Sequence, residues 1–451
     1  MNRNEFLKTI TLGAACFSLS KDDLAAADNG ARPNIIFILT DDLGRTDLGC
    51  YGSPNIKTPH LDRMAREGMR FTDYYCPAGV CTPTRAALMT GCYPKRVSLH
   101  VAVLPPQGRT GLNTREVTIA GLLKGSGYAT GCIGKWHLGT ETAFFPTRHG
   151  FDSYFGMPGP NHGASDLYRD EERIALNKEV SYDTLTQRYT EEAVQFIANN
   201  KDRPFFLYLA HNAPHIPLFA GAAYRGKSAR GLYGDMIEEI DGSCGAVLAA
   251  LKEHDLDRNT LVIFTSDNGP ANQAAPPLHG GKGSSWEAGF RVPCIARWPG
   301  QIPAGRICNK LVTTMDFLPT LAALGGAPLP ANNRIDGHNI ASLLRGRRGG
   351  HTPYKAFYYY GRDGKMYAVR EGKWKLHLLA PSEQWFGKLP KEALLATKPA
   401  TPPPWLYDLQ ADIGETNNLA GKYPKLVSRL RTQAEAFDRQ LEAEKRPAGV
   451  I

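Results

Sequence analysis

Carboxylate and amide side chains follow two apolar segments of the chain, at the point where each segment ends. Asp41-Asp42 comes directly after the apolar run 34–40, and Asp267-Asn268 follows the run 261–265. Continuous apolar runs of this length are typical of strands buried on both faces of a parallel sheet, whose carboxyl ends form one edge. Carboxylate and amide oxygens are ligands that Ca²⁺ or Mg²⁺ prefers, and closely packed like charges need a cation. The sequence therefore predicts a site for a hard cation at this edge.

Two further apolar runs end in groups that bind anions or transfer protons. Lys135 and His137 follow the run 129–134, while His211 and His215 follow the run 205–209. If the four runs pair in one sheet, these side chains lie at the same edge as the carboxylates. Imidazoles are suited to general acid–base catalysis, and a lysine there stabilises negative charge. The residues alone leave His211 and His215 as competitors for one role.

A cysteine stands at the start of a predicted helix. Pro83 is suited to the first helical turn, Thr82 to the N-cap and Gly91 to the end of the helix. Cys81 then lies at the N-terminus of this helix, where the helix dipole favours anions. One interpretation is an activated thiolate, and the other is a structural cysteine.

The same segment resembles the signature of type I sulfatases, the formylglycine-dependent family of the alkaline phosphatase superfamily. That signature is Cys-x-Pro-x-Arg followed by Leu-x-Thr-Gly, and its fixed positions are present as Cys81, Pro83, Arg85, Leu88, Thr90 and Gly91. Blocks similar to other conserved motifs of the family accompany this segment, in the order that the family has them: Asp41-Asp42, 134–139, 213–217, 266–269, 281–284, 286–293, 406–409 and 415–419. The resemblance covers roughly residues 32 to 425 and is closest to arylsulfatase A and N-acetylgalactosamine-6-sulfatase.

The resemblance implies a modified nucleophile and a calcium ion. Mature Cys81 is expected to be a formylglycine, hydrated to a diol, of which one hydroxyl attacks sulfur. A maturation enzyme, either formylglycine-generating or anaerobic, is the implied partner for this modification. One Ca²⁺ per chain is expected on Asp41, Asp42, Asp267, Asn268 and an oxygen of modified Cys81.

The resemblance also assigns the remaining catalytic roles. Arg85 is expected to hold the diol by hydrogen bonding, and Lys135 and Lys282 to bind the sulfate oxygens. His137 is the expected base for release of sulfate, and His215 the expected acid that protonates the leaving oxygen. The predicted substrate-binding residues are Lys135, His215 and Lys282.

A loop outside these motifs supplies two more substrate-binding candidates. Residues 156–163 occupy a region that often shapes the substrate pocket in the family, and Asn161 and His162 lie there. The alternative for both is a structural role in the loop.

The pattern of elements predicts an α/β fold with an alkaline-phosphatase-like, mostly parallel central sheet flanked by helices. Helical stretches at 59–67, 117–127, 184–199 and 233–254 separate the apolar runs. After about residue 348, short antiparallel strands with glycine-containing turns and a closing helix predict a smaller C-terminal α+β domain. Because 451 residues exceed what one core holds, we expect a catalytic domain at 32–348 and a smaller domain at 349–451.

Composition and the N-terminus constrain the protein's surroundings. The formal net charge of +9 fits an anionic partner such as a sulfated glycan, and the odd number of nine cysteines excludes a disulfide scaffold. Residues 1–27 resemble an export signal, with positive residues, an apolar core and a small-residue cleavage site, so a periplasmic or secreted protein is expected. Gly13-Ala14-Ala15-Cys16 weakly resembles a lipoprotein box, which leaves lipid anchoring open. No apolar stretch is long enough to span a bilayer.

Four functions can be considered for this sequence. The first is a sulfatase that removes O-sulfate from a sugar or glycan. The second is a phosphate or phosphonate ester hydrolase on the same scaffold, disfavoured by the oxygen-rich metal site and the complete maturation motif. The third is a non-catalytic sulfoglycan-binding protein, disfavoured by the intact lysines and histidines. The fourth is a nucleic-acid binder, which no basic helix or known module supports. The oligomeric state, the sugar and the position of its sulfate are left open.

Overall fold

Strand β1, Asn34–Thr40, is buried along its whole length and lies near the centre of a large mixed sheet. The computed structural model describes residues 32–101, 108–161, 165–271, 276–347, 352–381 and 401–451. The strands are β1 (Asn34–Thr40), β2 (Met69–Phe71), β3 (Tyr74–Tyr75), β4 (Thr110–Gly111), β5 (Ala129–Lys135), β6 (Ser153–Met157), β7 (Leu167–Arg169), β8 (Glu172–Ala175), β9 (Phe205–Ala210), β10 (Thr260–Ser266), β11 (Cys294–Arg297), β12 (Arg306–Cys308), β13 (Val312–Thr313), β14 (Phe357–Tyr360), β15 (Met366–Glu371), β16 (Trp374–His377), β17 (Trp405–Asp408) and β18 (Gly449–Val450).

The large sheet has the order β12-β2-β11-β10-β1-β9-β5-β6-β7-β8. Its five central strands, β10-β1-β9-β5-β6, are parallel. The flanking strands β11, β7 and β8 pair antiparallel with their inner neighbours. The four apolar runs of the sequence are therefore adjacent parallel strands, and their carboxyl ends lie at one edge, as expected.

Helices cover both faces of this sheet. They are α1 (Pro59–Glu67), α2 (Cys81–Thr90), α3 (Ile119–Gly125), α4 (Leu185–Asn199), α5 (Gly231–Glu253), α6 (Glu287–Phe290), α7 (Phe317–Gly325), α8 (Ala341–Leu344) and α9 (Pro424–Ala443). In β1, Phe37 packs in the core layer that includes α2, α3 and α7, whereas Ile36 and Ile38 pack in the layer that includes α1, α4 and α5. Side chains on a strand alternate between its faces, so one apolar strand fills two cores.

The C-terminal region forms a second, smaller sheet. Strands β14-β15-β16-β17 make an antiparallel four-stranded sheet, and α9 packs against β15 and β16. Pro33–Ile451 forms one compact unit that contains both sheets. The predicted fold class, a mostly parallel sheet flanked by helices with a small antiparallel sheet after it, is confirmed.

The export signal and one substrate-binding candidate lie outside the described residues, and the predicted N-cap of α2 is wrong. The export signal at 1–27 and His162 both lie outside the described residues. Thr82 is not the N-cap of α2, because the helix begins at Cys81 with Val80 as the capping residue. The Thr82 hydroxyl instead donates to the carbonyl of His137, at 3.0 Å.

Candidate active site

The register of β1 and β10 brings the acidic pairs together. Thr40 pairs with Ser266, so the residues that follow both strands leave the sheet side by side. Asp42 adopts a left-handed backbone conformation, with φ 68°, and its amide donates to Oδ1 of Asp267 at 3.3 Å. The Asn268 amide nitrogen donates to Oδ1 of Asp42 at 2.7 Å. The four predicted metal ligands thus lie together, and each is at most 2% exposed.

Helix α2 points its N-terminus at these carboxylates. The thiol of Cys81 donates to Oδ1 of Asp41 at 3.3 Å, and Nζ of Lys282 lies 3.5 Å from Sγ. Cys81 is fully buried, and burial together with the Asp41 carboxylate raises the pKa of the thiol above its ordinary value. This direction favours a neutral thiol over an activated thiolate for the unmodified side chain.

Arg85 bridges two strand ends from the next turn of α2. Its Nε and Nη2 donate to Oδ2 of Asp267 at 3.0 and 2.8 Å, and its Nη1 donates to the carbonyl of Lys135 at 2.7 Å. Its hydrogen bonds within the described residues go to these groups, and none reaches Cys81. Arg85 therefore fixes Asp267 and the end of β5 relative to α2.

Two buried lysines neutralise the acidic pair Asp41-Asp42. Lys135 forms a hydrogen-bonded ion pair with Asp41. Lys282 reaches Oδ1 and Oδ2 of Asp42 at 2.7 and 2.9 Å, and the burial of Lys282 is offset by Asp42, so that its pKa is raised. Both ammonium groups thus flank the position of Cys81, where they can stabilise an anion.

The donor set fits a hard divalent cation. Ligand atoms of Asp41, Asp42, Cys81 and His215 lie within 4.8 Å of one another. The Oδ1 atom of Asn268 is buried and has no hydrogen-bond partner among the described residues, although a buried carbonyl oxygen normally has one. A cation would satisfy this oxygen, and oxygen donors of this kind are those of Ca²⁺ or Mg²⁺.

The protonation of the carboxylates supports the same conclusion. Burial opposes ionisation of Asp41, but Lys135 and its other cationic neighbours hold its pKa well below the usual range. Burial and the Asp41 carboxylate raise the pKa of Asp267 to about 7. The lysines and Arg85 thus leave one carboxylate incompletely neutralised, and added positive charge would favour its ionised form.

The histidines separate into three environments. Nε2 of His215 lies 3.6 Å from Oδ2 of Asp42, and burial lowers the pKa of His215 to about 4. Burial and Lys135 hold the pKa of His137 well below its ordinary value, and neither ring nitrogen has a partner among the described residues. His211 instead places Nε2 3.2 Å from the hydroxyl of Ser243 on α5. Of the two competing histidines, His215 is the one that faces the carboxylates.

The loop candidate Asn161 is held by a neighbouring loop. Its Nδ2 donates to the carbonyl of Asn212 at 2.7 Å, and its Oδ1 accepts from Nδ2 of Asn212 at 2.5 Å. Tyr189 in turn donates to Oδ1 of Asn212 at 2.9 Å. Asn161 is 2% exposed, so its side chain joins its loop to the one that carries His215.

One group of buried residues received no role from the sequence. Glu287, on α6, accepts hydrogen bonds from Lys375 of β16 and Tyr75 of β3, at 2.9 and 2.5 Å. Sequence spacing cannot reveal this contact, because 88 residues separate Lys375 from Glu287. The position of Lys375 between Trp374 and Leu376 was the available signal in the sequence.

Comparison with known proteins agrees with this geometry. The sulfatase family model matches residues 33–327, and the model described as the C-terminal region of aryl-sulfatase matches residues 352–448. Human arylsulfatase A is 39% identical over 93% of this chain and 90% of its own length. The dog N-acetylgalactosamine-6-sulfatase is 39% identical over 81% of this chain and 76% of its own. The crystal structure of the PsFucS1 sulfatase from Pseudoalteromonas sp. superposes with a TM-score of 0.81, at 28% identity, over 93% of both chains.

These matches define an enzyme class. The chain belongs to the sulfatase family. It is a hydrolase of sulfuric esters, and the predicted likeness to arylsulfatase A and N-acetylgalactosamine-6-sulfatase is confirmed.

Proposed function

We propose that this sulfatase removes O-sulfate from a sugar, using a formylglycine made from Cys81 and a bound Ca²⁺. The observation that carries the proposal is the position of Cys81. It begins α2 at the sheet edge, with Asp41 3.3 Å from its Sγ on one side and Lys282 3.5 Å from it on another. A single side chain thus contacts both the proposed metal ligands and an anion-binding lysine.

Two groups supply chemistry that unmodified side chains lack. The hydrated aldehyde at position 81 supplies one hydroxyl to attack sulfur and a second whose deprotonation expels sulfate, which serine or cysteine cannot do. Asp41, Asp42, Asp267, Asn268 and residue 81 would hold Ca²⁺, which would supply Lewis acidity toward the sulfate oxygens.

The lysines bind and neutralise the substrate's sulfate. Lys135 and Lys282 are 0% and 2% exposed, so water screens their charges weakly. When sulfate enters, their ammonium groups donate hydrogen bonds to oxygens on which charge develops. Arg85 keeps Asp267 and the carbonyl of Lys135 in place through its three hydrogen bonds.

The two histidines move the protons. His215 faces Asp42, whose carboxylate opposes the lowering of the His215 pKa by burial and thus favours the protonated ring. In that form, Nε2 of His215 gives its proton to the oxygen of the departing alcohol. His137 has a lowered pKa and two buried ring nitrogens without partners in the described part of the chain, so it is suited to accept a proton from residue 81. Neutral His137 is the form that a general base requires.

A sugar is the proposed substrate class. The similarity to a sulfatase named for N-acetylgalactosamine supports it, as does the net charge of +9, which attracts a polyanion. We assign Asn161 to fixing the loop before His215, because Asn212 engages both ends of its carboxamide. His162, next to it, is proposed to contact the sugar.

Export, domain division and maturation complete the proposal. Residues 1–27 would direct the chain to the periplasm or outside the cell, where a sulfated glycan is accessible. Among the described residues, no helix is long and apolar enough to cross a membrane. We propose a catalytic part at 32–348 and a C-terminal part at 349–451, in line with the two family matches. A formylglycine-generating or anaerobic maturation enzyme would act on Cys81.

The test measures sulfate release from N-acetylgalactosamine 6-sulfate and from 4-nitrophenyl sulfate. Cys81→Ala should abolish turnover of both substrates and keep the fold. Cys244→Ala is the matched control, because Cys244 is also a buried cysteine on a helix but lies on α5, and it should keep activity. Near-native turnover by Cys81→Ala would refute the mechanism. Turnover of the aryl sulfate alone would refute N-acetylgalactosamine 6-sulfate as the substrate.

A further inference from the structure

A buried network of charges joins the C-terminal sheet to the segment that carries Lys282. We propose that Glu415 and Lys375 are positioning residues of the sulfatase reaction, because they hold residues 281–291 and thereby place the Lys282 ammonium group. This inference rests on the proposed function, which gives Lys282 its role in binding sulfate. It assigns the C-terminal sheet a part in turnover as well as in stability.

Glu287 is the residue through which the network contacts segment 281–291. It is fully buried, and its Oε1 accepts from Nζ of Lys375 at 2.9 Å and from the hydroxyl of Tyr359 at 3.0 Å. Its Oε2 accepts from the Tyr75 hydroxyl at 2.5 Å. Nη1 of Arg291 also donates to Oε2, at 3.4 Å. Lys375 and Tyr359 belong to the C-terminal sheet, on β16 and β14, so this sheet supplies two of the four side-chain donors among the described residues.

Glu415 holds the same segment through its backbone. Its Oε2 accepts the amide N–H of Glu287 at 2.7 Å, and its Oε1 forms an ion pair with Nζ of Lys375 at 2.9 Å. Nε2 of His377, also on β16, lies 2.8 Å from the same oxygen. Glu415 is 2% exposed and has a left-handed backbone with φ 55°, a conformation that non-glycine residues retain only where their surroundings hold it.

Short backbone contacts connect the segment that Glu415 and Glu287 hold to Lys282 and Cys81. The amide of Lys282 donates to the carbonyl of Pro270 at 3.0 Å, just beyond the metal-ligand pair, and Gly283 donates to Gly79 at 2.7 Å, just before Cys81. A Cβ on Gly289 would lie 2.5 Å from the carbonyl oxygen of Gly281, so α6 packs directly on the Lys282 turn. A shift of Glu287 is therefore transmitted to Lys282.

The network has as many carboxylates as cationic side chains, so each charge is needed to compensate another. Glu287, Glu415 and Asp73 are matched by Lys375, Arg291 and Arg370, through ion pairs of 2.7 to 3.4 Å. Loss of one carboxylate leaves a buried cation undercompensated, and the segment must move to relieve it. Helix α6 has only four residues, so little secondary structure of its own opposes such a movement.

The position of Lys282 matters because its contact with the nucleophile is close. Its Nζ lies 3.5 Å from Sγ of Cys81, and a misplacement of about 1 Å in a catalytic group costs roughly a hundredfold in rate. Glu415 itself contacts none of these reacting groups within the described residues. It acts on the reaction through Lys282.

A double-mutant cycle on the matured enzyme with 4-nitrophenyl sulfate tests the inference. Glu415→Gln should lower kcat by about ten- to a hundredfold, with KM changed less than about threefold, since the ammonium group matters most for the charge that develops on sulfate. In the Lys282→Met background, the same change should lower kcat by less than about twofold, because the group being positioned is gone. An equal fold-loss of kcat in both backgrounds would overturn the positioning role.

Two controls keep the outcomes distinct. Asp336→Asn disturbs another buried ion pair, in which the side chains of Arg96 and Asp336 are 1% and 7% exposed. Its effect on kcat should be the same in both backgrounds. If Glu415→Gln does not fold, Tyr359→Phe removes one donor from Glu287 more mildly and enters the same cycle. If Lys282→Met alone retains near-native kcat, the role of Lys282 in the proposed function fails. If Lys282→Met is impaired and the losses multiply, only the positioning role fails.

Discussion

At the scale of single residues, the site balances three carboxylates against two lysines and an arginine in a space that excludes water. Lys135 forms an ion pair with Asp41, and Lys282 forms one with Asp42. Arg85 forms an ion pair with Asp267. The same cations serve two purposes, since they pair with the buried carboxylates and offer positive charge to an incoming sulfate.

Metal removal should destabilise the protein. A ligand that binds only the folded state at a hundred times its Kd adds about 2.7 kcal/mol to the free energy of unfolding. Chelation should therefore lower Tm and turnover, and Ca²⁺ should restore both. Differential scanning calorimetry checks the Tm. Asn268→Ala, which removes the buried Oδ1 atom, should need more Ca²⁺ for the same recovery. An unchanged Tm and activity after verified metal removal would contradict the metal site.

Replacement of His215 should affect substrates according to their leaving groups. His215→Ala should lower kcat for a sugar sulfate by about 10²- to 10⁴-fold, because an alkoxide leaving group needs a proton. The loss should be much smaller for 4-nitrophenyl sulfate, whose phenolate leaves unaided. His211→Gln, at the histidine that faces Ser243, should change Tm more than kcat. Equal losses for both substrates would contradict the role of His215 as the acid.

At the scale of elements, parallel strand register and one helix N-terminus bring distant residues together. β10, β1, β9 and β5 are consecutive neighbours, so the groups after each strand face a common space. Segment 281–291 closes that space through close backbone contacts that only small residues permit.

Gly289→Ala should disturb the site through packing alone. The added Cβ would lie 2.3 Å from the carbonyl oxygen of Ser284 and 2.5 Å from that of Gly281, and backbone atoms cannot yield cheaply. We expect a loss of about 1–3 kcal/mol in the free energy of unfolding and a fall of about tenfold or more in kcat. Gly125→Ala on α3 meets nothing within 4 Å, so it should be neutral or stabilise by up to about 1 kcal/mol. Urea titration and steady-state kinetics measure both effects.

The sequence predicts the strand ends well and the charge network poorly. The apolar run before Asp41 coincides with β1, and the stretch expected at 59–67 coincides with α1, because pattern and capping residues act locally. The partner of Arg85 is Asp267, 182 residues away, and that of Glu287 is Glu415, 128 residues away. Such contacts depend on how elements pack, which periodicity does not specify.

At the scale of the whole molecule, buried ion pairs join the small C-terminal sheet to segment 281–291. Glu287 is held in its ionised form by Lys375 and Arg291, which outweigh the effect of burial and lower its pKa. Lys375 lies on the small sheet, so the ionised carboxylate ties the C-terminal region to the catalytic segment.

Acid should weaken this connection. Because the folded-state pKa of Glu287 lies below its ordinary value of 4.5, its contribution to stability is present above about pH 4.5 and is lost as the pH falls further. Glu287→Gln should be less stable than wild type at pH 7, yet lose less Tm between pH 6 and pH 3.5. Calorimetry over this range measures the difference in slope. Parallel slopes for the two proteins would contradict the assignment.

Mass spectrometry of the proteolytic peptide that contains Cys81 tests most directly whether this residue becomes the nucleophile. Protein made with a competent maturation enzyme should carry an aldehyde or its hydrate at position 81, whereas protein made without that enzyme should carry the thiol. Turnover should follow the modified fraction. An unmodified thiol in fully active protein would contradict the account.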